Sequence, residues 1–97
     1  MHSGWTFLTN HAHVLLSIAA NPDATLREIA ERVGITERAA HRIVSELEVG
    51  GALTRHRTGR RNHYEIRREL PLRHPIEKHC SVGQLVAMVA SDKSNTK

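Results

Sequence analysis

Residues 25–47, TLREIAERVGITERAAHRIVSEL, hold two short runs of apolar residues at helical spacing on either side of a single glycine, Gly34. That arrangement admits few folds. Thr25 with Glu28 three residues later is a capping box, in which the hydroxyl and the carboxylate each satisfy an orphan backbone N–H at a helix start. A helix is therefore expected from Leu26, with Leu26, Ile29, Ala30 and Val33 along one face and Arg27, Glu28, Glu31 and Arg32 turned to water. Gly34 ends it, because glycine takes the left-handed conformation of a helix C-terminus without a Cβ penalty, and Ile35 then tucks into the core. Thr36 is placed as the N-cap of a second helix whose buried face is Ala39, Ala40, Ile43, Val44 and Leu47. Glu37, Arg38, His41, Arg42 and Ser45 remain on its polar side. Taken alone, such a pair also fits a plain helical hairpin.

After Leu47 the apolar period changes from 3.6 to 2. Gly50 and Gly51 close the second helix, and the stretches LTRHRT and NHYEIR read as two strands joined across GRR. Leu53 points inward with Arg55 and Arg57 on the same alternation, and Tyr64 and Ile66 face the core while His63 and Glu65 face away. The tip carries Arg57, Thr58, Gly59, Arg60, Arg61 and Asn62.

The spacing of Ile29, Ala30, Gly34, Ile35, Ala40 and Ile43 resembles the helix-turn-helix of bacterial repressors. The further order of recognition helix, glycine exit, strand, arginine-bearing tip and return strand, in ITERAAHRIVSELEVGGALTR and GRRNHYEI, resembles the winged helix-turn-helix of MarR-like and ArsR-like transcription regulators. The resemblance implies a mainly α fold with a small β-hairpin: a winged helix-turn-helix domain over 1–70, with a three-helix core plus wing, and an additional C-terminal helix. It also implies that the second helix enters a DNA major groove, with base edges met by Arg38, His41 and Arg42 and phosphates by Thr36 and Ser45. Arg57, Arg60 and Arg61 on the wing would reach a minor groove or its flanking phosphates.

The charge distribution agrees with an anionic partner. Residues 1–50 hold four arginines against six carboxylates, and residues 51–97 hold ten lysines and arginines against four. Arg55, Arg57, Arg60, Arg61, Arg67, Arg68 and Arg73 make the wing and its exit a basic patch, which favours a polyphosphate backbone through counterion release.

The segments on either side are expected to complete the domain. Thr9 or Asn10 caps a further helix whose Ala12, Val14, Leu15, Leu16, Ile18 and Ala19 pack under the helix-turn-helix, and Asn21, Pro22 and Asp23 stop it. Trp5, Phe7 and Leu8 alternate with Thr6, which suits a short strand or an apolar arm docking on a partner subunit; burial in the core is the expectation for Trp5 and Phe7. Beyond the wing, Pro75 suits the first turn of a helix from about Ile76, in two pieces with a joint near Ser81 to Gly83. This extension, 71–90, is apolar on more than one side at Val82 to Ala90 and is expected to build a homodimer. Residues 91–97 are expected to be a disordered tail.

Composition excludes several classes. Ninety-seven residues suit one domain, no apolar run approaches the ~20 residues of a membrane span, and no secretory leader is visible. With a single cysteine, Cys80, a cytoplasmic protein without an intramolecular disulfide is expected. Eight histidines invite a metal-sensor reading, but His11 with His13, and His74 with His79 and Cys80, lack the ligand spacings of known sites. No catalytic motif, metal site or cofactor is expected, and so no enzyme. The expectation is a sequence-specific transcription regulator that binds double-stranded DNA, acting as a homodimeric repressor, with any small-molecule effector unspecified. The alternatives are a winged helix that docks a protein, and a metal- or thiol-responsive sensor on the same fold.

Overall fold

A computed structural model describes residues 4–95, with side chains over 4–90. The elements run α1 (Asn10–Ala20), α2 (Leu26–Val33), α3 (Glu37–Val49), β1 (Leu53–Thr58), β2 (Arg61–Ile66) and α4 (Val82–Asn95). Each of the first three helices starts on a threonine. Thr9 Oγ1 accepts from Ala12 N–H at 3.2 Å and Thr36 Oγ1 from Ala39 N–H at 3.0 Å. At Thr25 both halves of the capping box form, with Glu28 N–H donating to Thr25 Oγ1 at 3.1 Å and Thr25 N–H to Glu28 Oε1 at 2.9 Å. Gly34 ends α2 at φ 88°, a conformation that Cβ-bearing residues adopt only with strain.

Val14 and Ile18 of α1, Ile29 of α2 and Ala40 of α3 are fully buried, and they form one core with Ile43, Val44 and the small Ala30. Sealing an aliphatic side chain of this size from water contributes about 1.5–3 kcal/mol, which makes this three-helix contact the main source of stability. Leu53 and Tyr64 carry the hairpin into the same core. The strands pair antiparallel from Leu53 with Ile66 to Thr58 with Arg61. Gly59, at φ 62°, supplies the positive dihedral that a two-residue hairpin loop needs at its first position.

The C-terminal segment departs from expectation. Residues 75–79 form turns rather than a helix, with Glu77 N–H bonded to His74 O at 2.9 Å and Cys80 N–H to Glu77 O at 2.8 Å. The helix starts instead at Val82, where Ser81 and Gln84 make a second capping box: Gln84 N–H donates to Ser81 Oγ at 3.2 Å and Ser81 N–H to Gln84 Oε1 at 2.8 Å. Gly83 is a contact point and not a joint. Its N–H donates to Arg68 O at 2.8 Å, and a Cβ placed on it would lie 2.9 Å from Arg68 Cβ. Val82 N–H to Leu70 O and Leu72 N–H to Cys80 O complete the strap that holds the start of α4 against the wing's exit. Val82 and Val86 bury there. The tail expected over 91–97 falls on the end of α4, assigned to Asn95, and on residues 96 and 97, which lie outside the described residues.

Trp5 and Phe7 correct a second expectation. They are 73% and 90% exposed, stacked edge to face with centroids 4.8 Å apart on a non-strand arm, because Val14, Leu15 and Ile18 already fill the core beneath α1.

Candidate nucleic-acid interface

The buried stripe of α3 turns Arg38, His41 and Arg42 to solvent. Among the described residues Arg38 and His41 have no carboxylate within 4.0 Å. Arg42 is different. Its Nη1 lies 3.4 and 3.5 Å from the carboxylate oxygens of Glu46, one turn on, and Glu46 Oε1 also meets His11 Nε2 of α1 at 2.7 Å. The His11 hydrogen bond is the largest influence on the Glu46 carboxyl; desolvation, the next largest, opposes it, and with the charge and hydrogen bond of Arg42 added the carboxyl is held below the usual carboxylate range. The Thr36 hydroxyl is the N-cap of α3, and Ser45 is half-buried. His11 and Glu46 form part of the wall of an open groove of about 830 Å³ that runs between the arm at Phe7, the end of α3 and Leu72.

On the wing, Arg57 and Arg60 are exposed and free of carboxylate partners among the described residues. The other arginines of the expected basic patch are mostly occupied. Arg55 Nε is 3.2 Å from Glu48 of α3, and Arg67 Nε is 3.4 Å from Glu69. Arg61 Nη1 donates to the backbone carbonyl of Asp23 at 3.1 Å. Arg73 Nη1 stands over the C-terminus of α3, 3.3 Å from where a Cβ on Gly50 would be. His56 Nε2 meets Glu65 at 2.9 Å, and His63 Nδ1 meets Asp23 Oδ1 at 2.7 Å. Tyr64, beneath the wing, is 2% exposed, and burial pushes its hydroxyl above the ordinary tyrosine value.

The structure therefore gathers the eight sequence candidates at two places, Thr36 as the N-cap of α3 with Arg38, His41, Arg42 and Ser45 on that helix, and Arg57, Arg60 and Arg61 on the hairpin. Arg42 and Arg61 come with a prior partner. Glu46, His11 and Asp23 are the residues that sequence reasoning passed over. Asp23 reads locally as a turn former, and no local pattern at Glu46 or Asp23 announces a contact 35 or 40 residues away. Among the described residues no three His, Cys, Asp or Glu side chains converge as a metal site requires, and no helix is long and apolar enough to cross a membrane.

The sequence model of the MarR family matches residues 5–61. Among solved structures, MepR, a transcription regulator of the Staphylococcus aureus multidrug efflux pump MepA, superposes with a TM-score of 0.57 at 15% identity, covering 89% of this chain and 60% of that one. PcaV, a transcriptional regulator from Streptomyces coelicolor, gives 0.54 at 19% identity over 88% and 62%. ZitR, a zinc-responsive MarR family member from Lactococcus lactis, gives 0.58 at 16% identity over 98% and 59%. At these identities the likeness shows a shared fold, and the chain spans about 60% of the length of these relatives. No curated protein sequence matches it.

Proposed function

The chain belongs to the MarR family of winged-helix transcription regulators, and from that premise we propose that it binds double-stranded DNA through α3 and the wing, as a homodimer that represses by occluding a promoter. The observation that carries this reading is the division of the cations. Arg38 on α3 and Arg57 and Arg60 on the wing are exposed and have no carboxylate partner among the described residues, nor has the exposed His41 on α3, whereas Arg55 and Arg67 are paired within the protein. A cation without a partner of its own releases counterions from DNA at full value. Arg38, His41 and Arg42 are the proposed base readers, Thr36 and Ser45 the phosphate ligands, and Arg57, Arg60 and Arg61 the wing contacts. Arg42 must leave Glu46 to serve, whereas Arg61, bonded to the Asp23 carbonyl through Nη1, keeps further N–H donors for a phosphate. Dimerisation is supported by Met88 and Val89, 62% and 40% exposed on α4, since two half-sites multiply affinity.

Fluorescence anisotropy of a mixed-sequence duplex at two salt concentrations tests the reading, comparing the natural protein with Arg60→Ala, Arg61→Ala. Binding that weakens steeply with salt and with loss of the arginines is expected. Absence of binding at low salt overturns it in favour of a protein-docking module, a reading that the exposed Trp5 and Phe7 favour.

A further inference from the structure

We propose that Asp23 is a positioning residue for the wing, holding β2 at the angle at which the tip arginines meet DNA; the functional part of this inference rests on the DNA-binding reading above. A two-stranded hairpin is marginally stable in water and does not by itself keep a direction. The base of this one is fixed by Leu53 and Tyr64 in the core, but the tip at Gly59 and Arg60 lies beyond them. The turn between α1 and α2 supplies what is missing. Pro22 O accepts from Tyr64 N–H at 2.9 Å, Asp23 Oδ1 meets His63 Nδ1 at 2.7 Å, and Asp23 O accepts from Arg61 Nη1 at 3.1 Å. Two consecutive residues thus reach three positions along β2, and the outermost two lie between the core anchor and the tip.

The turn itself is rigid enough to serve as a brace. Asn21 Oδ1 accepts from Asp23 N–H at 3.2 Å, Asn21 O accepts from Ala24 N–H at 3.1 Å, and Ala24 is buried. Thr25 follows at once as the N-cap of α2, so the brace is continuous with the helix-turn-helix. Across the hairpin, Arg55 on β1 is tied to Glu48 on α3. The wing is held from both strands, and the Asp23 carboxylate ties the second at His63, beyond the core anchor at Tyr64.

The sign of one substitution separates positioning from simple charge. Removing a carboxylate beside a phosphate-binding element should tighten DNA binding if charge is all that matters. If Asp23 positions the wing, Asp23→Ala weakens binding to a mixed-sequence duplex, by about three- to tenfold, because the tie to His63 is lost and the arginines are presented loosely. Asp23→Asn keeps an oxygen acceptor for His63 while dropping the charge, and it binds as tightly as the natural protein or more tightly. In an Arg57→Ala, Arg60→Ala background the same Asp23→Ala change has little further effect, since residues that act through one another are not additive. Amide hydrogen exchange without DNA reads the brace directly: Asp23→Ala speeds exchange at β2 and leaves α3 unchanged, and Asp23→Asn restores protection. Tighter binding by Asp23→Ala, an equal loss in both backgrounds, or unchanged β2 exchange overturns the proposal. If exchange responds as described but neither the natural protein nor any variant binds DNA, the brace stands as structure, while the DNA-binding reading and the proposed role of Asp23 in presenting the arginines both fail.

Discussion

His11 Nε2 lies 2.7 Å from Glu46 Oε1, joining the start of α1 to the solvent side of α3 at a carboxylate that also faces Arg42. A negative charge on the helix proposed to enter DNA opposes phosphate approach and competes with the duplex for Arg42. Glu46→Gln is therefore expected to tighten binding to mixed-sequence DNA at low salt, and the gain should shrink as salt rises and screens the charge. Anisotropy titrations at two ionic strengths check this, and weaker binding by the variant would instead give Glu46 a role in orienting Arg42.

The same carboxylate makes a pH prediction. Because folding lowers the affinity of Glu46 for its proton, chiefly through the His11 hydrogen bond, the native state favours the ionised form. The resulting stability is present above the ordinary carboxylate range and is lost as pH falls through the lowered native value. The natural protein should melt above Glu46→Gln near neutral pH, with the gap closing in acid. Thermal melts across that range decide it.

Arg42 and Arg60 are expected to fail differently. Arg42→Ala should cost about 1–3 kcal/mol on the preferred sequence and relax sequence preference, whereas Arg60→Ala should weaken all duplexes alike and flatten the salt dependence. Equal losses on specific and random duplexes for both variants would remove the division between base reading and phosphate contact.

Much of this fold could be read because its instructions are local. The capping box at Thr25 and Glu28, the left-handed Gly34, the N-cap at Thr36 and the change of period after Leu47 each act within a few residues, and each stands where expected. The start of α4 departs from its local pattern for the same reason. Gly83 looks like a break in isolation, and only the backbone of Arg68 packed against it explains why a glycine sits inside a helix opened by Ser81 and Gln84. Trp5 and Phe7 are aromatic and were expected inside, but burial depends on space left by other elements, which no local pattern records. Within the site, residue types and faces were legible, and the state of each cation was not: Arg42 and Arg61 are engaged by Glu46 and by the Asp23 carbonyl, through contacts that exist only once the chain has folded.

Tyr64 gives an alkaline counterpart to Glu46. Burial raises its hydroxyl above the ordinary value near 10, so the unfolded chain loses that proton first. Stability is intact below the unfolded value and declines as pH rises from there toward the raised native one. Tyr64→Phe should flatten the decline above about pH 10, as followed by denaturant midpoints at each pH. An unchanged alkaline slope would assign the loss to other groups.

Two glycines should respond to substitution with the same sign for different reasons. In a helix, Gly→Ala ordinarily gains up to about 1 kcal/mol. At Gly83 the new Cβ meets Arg68 Cβ at 2.9 Å and Arg68 O at 3.0 Å, against backbone that the strap to Leu70 and Leu72 prevents from yielding. Overpacking of that kind costs about 1–3 kcal/mol, so Gly83→Ala should destabilise despite its propensity. At Gly34 nothing lies within 4 Å of the added Cβ, and the cost comes from φ 88°. Asparagine, which tolerates the left-handed region, should therefore recover part of the loss at Gly34, whereas no side chain should recover it at Gly83. Urea denaturation of Gly34→Ala, Gly34→Asn, Gly83→Ala and Gly83→Asn reads the contrast. A stabilised Gly83→Ala would mean that α4 shifts freely from the wing's exit, and that the strap does not fix its position.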